Sequence, residues 1–257
     1  MALVFDDADL DKAIHGLMDA KFRASGQTCV CANRVYLQDA IYDEFVERFA
    51  KVVDEQMIPG DPLAQGTTLG PLITAKAADK VEQLVNDAKN AGADVVTGGS
   101  RSASDPPTFY PATVLKNMKP SMKASKDEIF GPVVAFYRFK DEAELLKMAN
   151  DTDVGLAAYV YSEKLSRIWK VAEKLQTGMV GVNTGIISDP VAPFGGVKHS
   201  GFGREGGRIG IDEFQVLKVS LRHPYRGPST NSLTLDNYTW RCLVVIVGGP
   251  QMQLQLQ

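Results

Sequence analysis

Cysteine is scarce. Cys29, Cys31 and Cys242 are the whole complement in 257 residues, too few and too unevenly placed for a disulfide framework, and they suit a reducing compartment better. Three histidines and a single Cys-x-Cys with no second cluster do not supply the four ligands of a structural zinc site, so no metal is expected. An excess of one charge is also missing. Lys and Arg number 28 against 31 Asp and Glu, a net charge of −3, which provides no general field for nucleic acid or an anionic membrane. Long apolar runs are absent too: Leu243 to Val247 falls far short of the ~20 residues of a membrane span. The N-terminus lacks the basic region of a secretory signal and is too acidic for an organelle transit peptide. No repeat recurs at solenoid periods.

What is present is the texture of an ordinary globular chain, 44% hydrophobic and 23% charged. Leu10, Ile14, Leu17, Met18 and Phe22 recur at helical spacing behind the candidate caps Asp7 and Asp9, and the helix is expected to end at Ser25-Gly26. A strand at Arg34 to Gln38 comes next, then a helix from about Ala40 to Met57 and another around Ala75 to Ala91. Further on come a strand at Asp94 to Thr97, an apolar segment at Phe109 to Leu115, a strand at Pro132 to Phe139 and a helix at about Asp141 to Asn150. A strand at Leu156 to Ser162, a helix at Glu163 to Leu175 and a strand at Met179 to Asn183 complete the pattern. Strands alternating with helices of this length imply crossover connections, hence an α/β fold with a mostly parallel sheet and helices on both faces. From Pro193 the chain turns glycine-rich, and Gln215 to Leu221 reads as a last strand.

Cys29 stands in Gly26-Gln27-Thr28-Cys29-Val30-Cys31, at a junction between helix and strand where ligands collect in α/β folds. It reads as a nucleophile able to add to a carbonyl carbon or as a small core hydrophobe. A papain-like Cys/His pair finds no signature around His15, His199 or His223. Oxidation of Cys29 and Cys31 would give a strained, readily reduced short-loop disulfide, a switch and not a staple. Gly201 to Gly206 matches GxGxxG, but no hydrophobic strand precedes it and no acidic residue ends a second strand downstream, so it reads as a cleft-lining loop and not as a dinucleotide fingerprint. Glu128 and Phe130, at a turn entering a strand, suit a ribose hydroxyl and a flat ring, or else a surface carboxylate and a core aromatic. The sequons at Asn150-Asp151-Thr152 and Asn237-Tyr238-Thr239 read as accidental.

Three blocks then fall in a familiar order: Phe22 to Cys29 (FRASGQTC), Glu128 to Pro132 (EIFGP) and Pro193 to Gly201 (PFGGVKHSG). Together they resemble the NAD(P)-dependent aldehyde dehydrogenase superfamily over about residues 2 to 222. Within it, Cys29 to Asn33, Gly178 to Asn183 and Gly203 to Gly206 are most similar to succinate-semialdehyde dehydrogenases. The resemblance implies that Cys29 is the catalytic thiol, passing through a thiohemiacetal and a thioester, and that its backbone N–H is one of two oxyanion donors. It implies that Glu128 binds the nicotinamide ribose and that Phe130 packs beside the ring of NAD or NADP. Arg23 and Ser188 match positions that hold the distal carboxylate of succinate semialdehyde, and Cys31 matches the second cysteine of a redox-sensitive pair. The implied reaction is oxidation of succinate semialdehyde to succinate, as in γ-aminobutyrate breakdown. Glutarate semialdehyde, an uncharged aldehyde, or a non-catalytic role as an oligomer partner are the alternatives.

The departures set further expectations. Family members are near twice this length, and the part without a counterpart here carries the Rossmann-type coenzyme domain, the glutamate of Glu-Leu-Gly-Gly that activates the deacylating water, and an oxyanion-hole asparagine. Loss of such a general base costs about 10²- to 10⁴-fold, so the chain by itself is expected to be impaired. The expected organisation is a catalytic domain over 1–210, an oligomerisation-type strand over 211–222 and a divergent, disorder-prone tail over 223–257 whose Gln-alternating end is an aggregation hazard. A small-molecule aldehyde, and a homo-oligomer for a full-length member, are the expected partners, in the cytoplasm or mitochondrion and not in secretion.

Overall fold

The computed structural model describes residues 1–222 and 241–248. Residues 223–240 and 249–257, with His223, the Asn237 sequon and much of the expected tail, lie outside the described residues. In chain order the elements are β1 (Ala2–Val4), α1 (Leu10–Phe22), β2 (Val35–Gln38), α2 (Tyr42–Gln56), α3 (Ala75–Asn90), β3 (Asp94–Thr97), β4 (Thr113–Lys116), β5 (Val133–Phe139), α4 (Glu142–Asn150), β6 (Val154–Gly155), β7 (Ala157–Tyr161), α5 (Leu165–Lys174), β8 (Met179–Val182), β9 (Val197–Lys198), β10 (Gln215–Arg222) and β11 (Arg241–Gly248). Two compact units result: Met1–Ser188 with Gly195–Phe202, and Asp189–Phe194 with the described residues from Gly203 onward. Among the described residues no helix is long and apolar enough to cross a membrane.

The first unit is built on a seven-stranded sheet in the order β3-β4-β5-β2-β1-β7-β8. Every neighbouring pair is parallel except β3 and β4 at one edge, which run antiparallel. Alternation of side chains along the strands produces two cores. On one face Ala2, Val4, Val35, Leu37, Phe136, Tyr159 and Tyr161 pack with Ile14 and Leu17 of α1 and Phe45 and Phe49 of α2. On the other, Leu3, Phe5, Tyr36, Tyr137, Phe139 and Val160 pack with Val81 and Leu84 of α3, Leu145 of α4 and Val171 of α5. This is the α/β architecture expected from the alternation of elements, a mostly parallel sheet with helices on both faces.

One expectation needs correction and two details are added to the pattern. The run Ala2 to Phe5, outside the expected succession of elements, contains a central strand, with β1 paired to β2 on one side and β7 on the other. A strand buried on both faces loses the alternation that marks half-buried strands, and three residues are too few to signal one. Asp9 alone caps α1, accepting from the Lys12 N–H at 3.1 Å. Asp7 instead accepts from the Ser162 hydroxyl at 2.9 Å and the Lys164 N–H at 3.1 Å, tying the exit of β1 to the exit of β7. Of the apolar segment Phe109 to Leu115, only the end from Thr113 onward is strand.

In the second unit, Phe194 and Glu205 exchange backbone hydrogen bonds at 2.7 and 2.8 Å. A 3₁₀ segment, Ile209–Phe214, leads into β10. There β10 pairs antiparallel with β11 from Gln215↔Gly248 to Arg222↔Arg241.

Candidate active site

The last turn of α1 unwinds through three consecutive residues in the left-handed region, Ala24 (φ 51°), Ser25 (φ 56°) and Gly26 (φ 75°). This folds the chain back sharply and sets Cys29 on an exposed loop, so the reading of Cys29 as a buried core residue does not hold. Only glycine fits at 26. A Cβ there would lie 2.1 Å from the carbonyl oxygen of Gly131, so the Gly26 and Glu128-to-Pro132 motifs are in backbone contact although they lie about a hundred residues apart. The Ser25 hydroxyl donates to the Gly70 carbonyl at 2.9 Å, and the Gln27 side-chain oxygen accepts from the Ile73 N–H at 2.9 Å. A turn in which the Cys31 N–H donates to the Thr28 carbonyl at 2.9 Å fixes the spacing of the two thiols.

Asn33 joins this loop to the carboxylate segment. Its amide NH₂ donates to the Ala124 and Asp127 carbonyls, each at 3.2 Å, and its oxygen accepts from the Ile129 N–H at 2.9 Å. The exposed Glu128 is held between these anchors. Cys29, Cys31 and Glu128 consequently line one cavity of about 550 Å³, together with Asn33, His199 and Ser200. Phe130, whose φ is 50°, is 39% exposed. It stands out from the core, contrary to the core-aromatic alternative, and is not among the residues that line the cavity.

Arg23 and Ser188 do not line this cavity; both are exposed. Their segments are drawn to the α1 side of the sheet by a second close approach, where a Cβ on Gly185 would lie 1.9 Å from the Gly16 carbonyl oxygen. The Tyr161 hydroxyl donates to the Thr184 carbonyl at 3.0 Å, and two residues earlier on the same face of β7 the Tyr159 hydroxyl donates to the Val30 carbonyl at 2.9 Å. One strand thus carries a tether for each loop. Gly201 to Gly206 comes after the two-residue β9 and runs on towards a 3₁₀ segment, with no long helix at its end.

These local features meet a broader match. The family model for the aldehyde dehydrogenase family covers residues 1–220. The chain belongs to the aldehyde dehydrogenase family. It is 51% identical over 216 residues to the NADP(+) succinate-semialdehyde dehydrogenase of Escherichia coli K12, covering 84% of this chain and 44% of that protein. It is 50% identical over 216 residues to the glutarate-semialdehyde dehydrogenase of Pseudomonas putida, with the same coverages of 84% and 44%. The crystal structure of succinate-semialdehyde dehydrogenase from Burkholderia pseudomallei superposes with a TM-score of 0.80 at 49% identity, over 82% of this chain and 44% of that one. The chain therefore has the aldehyde dehydrogenase fold and spans less than half the length of these relatives.

In this member of the aldehyde dehydrogenase family, several site residues escape sequence reasoning. Asn33 stands only inside a motif, and nothing in the sequence marks its side chain as a clamp on a loop about ninety residues away. Tyr159 and Tyr161 do carry a signal: alternate tyrosines in a buried strand need hydrogen-bond partners for their hydroxyls, and here those partners are the Val30 and Thr184 carbonyls. His199 stands inside the Pro193-to-Gly201 block with no role of its own marked, and its backbone is fixed beside the cavity by a bond from its N–H to the Asp153 carbonyl at 2.9 Å. Lys21, in the last turn of α1, is buried, which no local pattern in the sequence marks.

Proposed function

We propose that this chain is the thiol-bearing part of an NAD(P)-dependent aldehyde dehydrogenase whose substrate is a semialdehyde, succinate semialdehyde first. The observation that carries the reading is the locked contact of Gly26 with Gly131, which holds Cys29 and Glu128 on the wall of one cavity. In this reading the Cys29 thiolate adds to the aldehyde carbon, forming a C–S bond and an oxyanion. Among the described residues no acceptor takes the Cys29 N–H, which leaves it to donate to that oxyanion. Glu128 accepts from ribose hydroxyls, and Phe130 packs against the nicotinamide; an exposed carboxylate on the wall of the thiol's cavity and a half-exposed aromatic two residues further on fit that end of NAD or NADP. When bound, the coenzyme supplies a hydride acceptor. Cys29 is left as a thioester, which water cleaves to carboxylate and free thiol.

Arg23 and Ser188 are assigned to the distal carboxylate of the substrate, a guanidinium and a hydroxyl being suited to an anion. Glutarate semialdehyde is the second reading, supported by the Pseudomonas putida relative. Cys31 is assigned as the redox partner of Cys29. Residues 211–222 are assigned to contact between subunits, supported by exposed Phe214, Val216, Leu217 and Val219. With Glu128 given to the ribose, none of these assignments supplies a base to activate the deacylating water, so the 257 residues alone should acylate faster than they turn over.

The test is a rapid-mixing assay of the purified chain with succinate semialdehyde and NAD or NADP, coupled to mass spectrometry of the Cys29 peptide. Reduced coenzyme formed up to about one equivalent, with a succinyl adduct on Cys29 that is absent from Cys29→Ala, supports the reading. No adduct on Cys29, with labelling by a neutral electrophile unaffected by aldehyde, overturns it. Arg23→Ala should weaken capture of both semialdehydes while leaving that of an uncharged aldehyde unchanged.

A further inference from the structure

The end of α4 gathers two cations. Arg34 donates from Nη1 to the carbonyls of Met148 and Asp151, at 3.1 and 3.4 Å, and from Nη2 to that of Ala149 at 3.1 Å. Lys198 donates from Nζ to the two carbonyls that Arg34 leaves, Asn150 at 2.9 Å and Thr152 at 2.7 Å. Five consecutive carbonyls, Met148 to Thr152, therefore each accept from a positive side chain, at the place where a helix leaves its last carbonyls without partners and its dipole favours a cation. The two cations come from distant parts of the chain. Arg34 follows Asn33 on the segment that carries Cys29 and Cys31, whereas Lys198 lies in β9, beside His199 and Ser200. Both neighbourhoods open onto the Cys29 cavity, so two parts of its wall hang from one helix end.

The Lys198 part needs such an anchor. β6 and β9 pair over only two residues, Val154↔Lys198 and Gly155↔Val197, too short a ladder to stand alone. Lys198 itself is in the left-handed region, at φ 56°, which a lysine enters only at a cost. Directly beyond it the His199 N–H donates to the Asp153 carbonyl at 2.9 Å, and the Ser200 hydroxyl accepts from the Gly155 N–H at 3.0 Å. Thr152, Val154, Gly155, His199 and Ser200 thus form one stretch of the cavity wall, and the Lys198 ammonium ties that stretch to α4.

We propose that Lys198 is a positioning residue for the thiol's cavity: by giving its ammonium to the end of α4 it holds the His199–Ser200 loop in fixed relation to the Cys29 loop, which Arg34 ties to the same helix end. Hydrogen bonds from a charged donor are the stronger kind, and carbonyls of a packed helix are acceptors that do not move. A molecule seated on Cys29 then meets a wall whose place is set by α4 and not by the two-residue ladder. The inference rests on reading the Cys29 cavity as the place of reaction, but it concerns the shape of that cavity and not the oxidation itself.

Two measurements test it on the 257-residue chain carrying Cys31→Ser and Cys242→Ser, so that monobromobimane labels Cys29 alone. Amide exchange reads the tie: Lys198→Met should speed exchange of the His199 and Gly155 N–H groups about tenfold and leave that of Ile129, held by Asn33, unchanged. The bimane reads the cavity: its emission should move to the red and its anisotropy fall in Lys198→Met, as the label loses a fixed wall. Lys198→Arg, which keeps a charged donor, should restore most of both readouts. Unchanged exchange at His199 and Gly155, or an unchanged bimane spectrum, in folded Lys198→Met overturns the proposal. Where Lys198→Met does not fold, Ser200→Ala removes the acceptor of the Gly155 N–H from the same wall and should move the bimane spectrum in the same direction; no movement overturns the proposal. Neither readout requires coenzyme or aldehyde, so failure of the oxidation test and failure of this one are separately visible.

Discussion

The loop from Arg23 to Asn33 and the stretch from Gly203 to Val219 are both irregular in part and both rich in turn residues, yet they are built on opposite plans. The first is held by side-chain clamps from Ser25, Gln27, Asn33 and Tyr159 and by a backbone contact that admits no Cβ. The second leaves Phe214, Leu217 and Val219 largely in solvent, with Phe214 81% exposed. A reactive thiol needs fixed surroundings, because small misplacements of a nucleophile are expensive in rate. Exposed apolar side chains clustered along one strand suit contact with another surface. On the proposed assignments, rigidity goes with the chemistry and exposure with the assembly.

Substitutions can break or sharpen this contrast. Gly26→Ala should have the largest effect, because it combines φ +75° with a 2.1 Å clash against the Gly131 carbonyl. A loss of about 3–5 kcal/mol is expected from such strain and repacking, read as a lower urea midpoint with rapid, indiscriminate labelling of Cys29. Lys21→Met should act in the opposite sense. The native lysine is shifted from 10.5 to about 8, a penalty of about 3 kcal/mol on the charged form at neutral pH. Since the folded value lies below the unfolded one, the unfolded chain binds more protons between pH 8 and 10.5, and wild-type stability rises through that window. Lys21→Met should therefore be more stable at pH 7, by up to that amount, with the gain fading by about pH 10 in parallel urea titrations.

Asn33→Ala removes three hydrogen bonds to one loop and should cost about 2 kcal/mol, with hydrogen exchange faster at Ile129 than in β5. Tyr159→Phe should cost about 1 kcal/mol and raise the exchange rate of the thiol loop while sparing the Glu128 segment. The smallest effect belongs to the other stretch: Phe214→Ser should change stability by no more than about 0.5 kcal/mol. A thermal shift for Phe214→Ser as large as that for Asn33→Ala would end the contrast.

Much of the fold is legible in the residues. Amphipathic spacing locates α1, and Asp94 to Thr97 is a strand with its expected bounds intact, because helical and strand periods are local properties. What lies hidden is whatever depends on distant partners. β1 is a strand by virtue of its two neighbours, and Asp7 reads as a cap until Ser162 supplies another use for it. At the site, Cys29 and Glu128 are nameable from motifs, and the structure adds that they share a cavity. Lys21 misleads for a simple reason: a lysine at the end of a helix normally complements the helix dipole in solvent, and no local pattern reveals that the neighbouring loop folds over it.

The central placement of β1 bears on the order of folding. Tyr159 reaches the thiol loop from β7, and β7 is paired to β1 through the bond from the Tyr159 N–H to the Met1 carbonyl at 2.9 Å. Closing so long a stretch of chain is slow. During synthesis, Cys29 emerges long before Tyr159, so the nascent chain holds its thiol loop without that tether until β7 docks. That tether is therefore among the last of the loop's supports to be set, and a chain interrupted before Tyr159 would present the thiol without it.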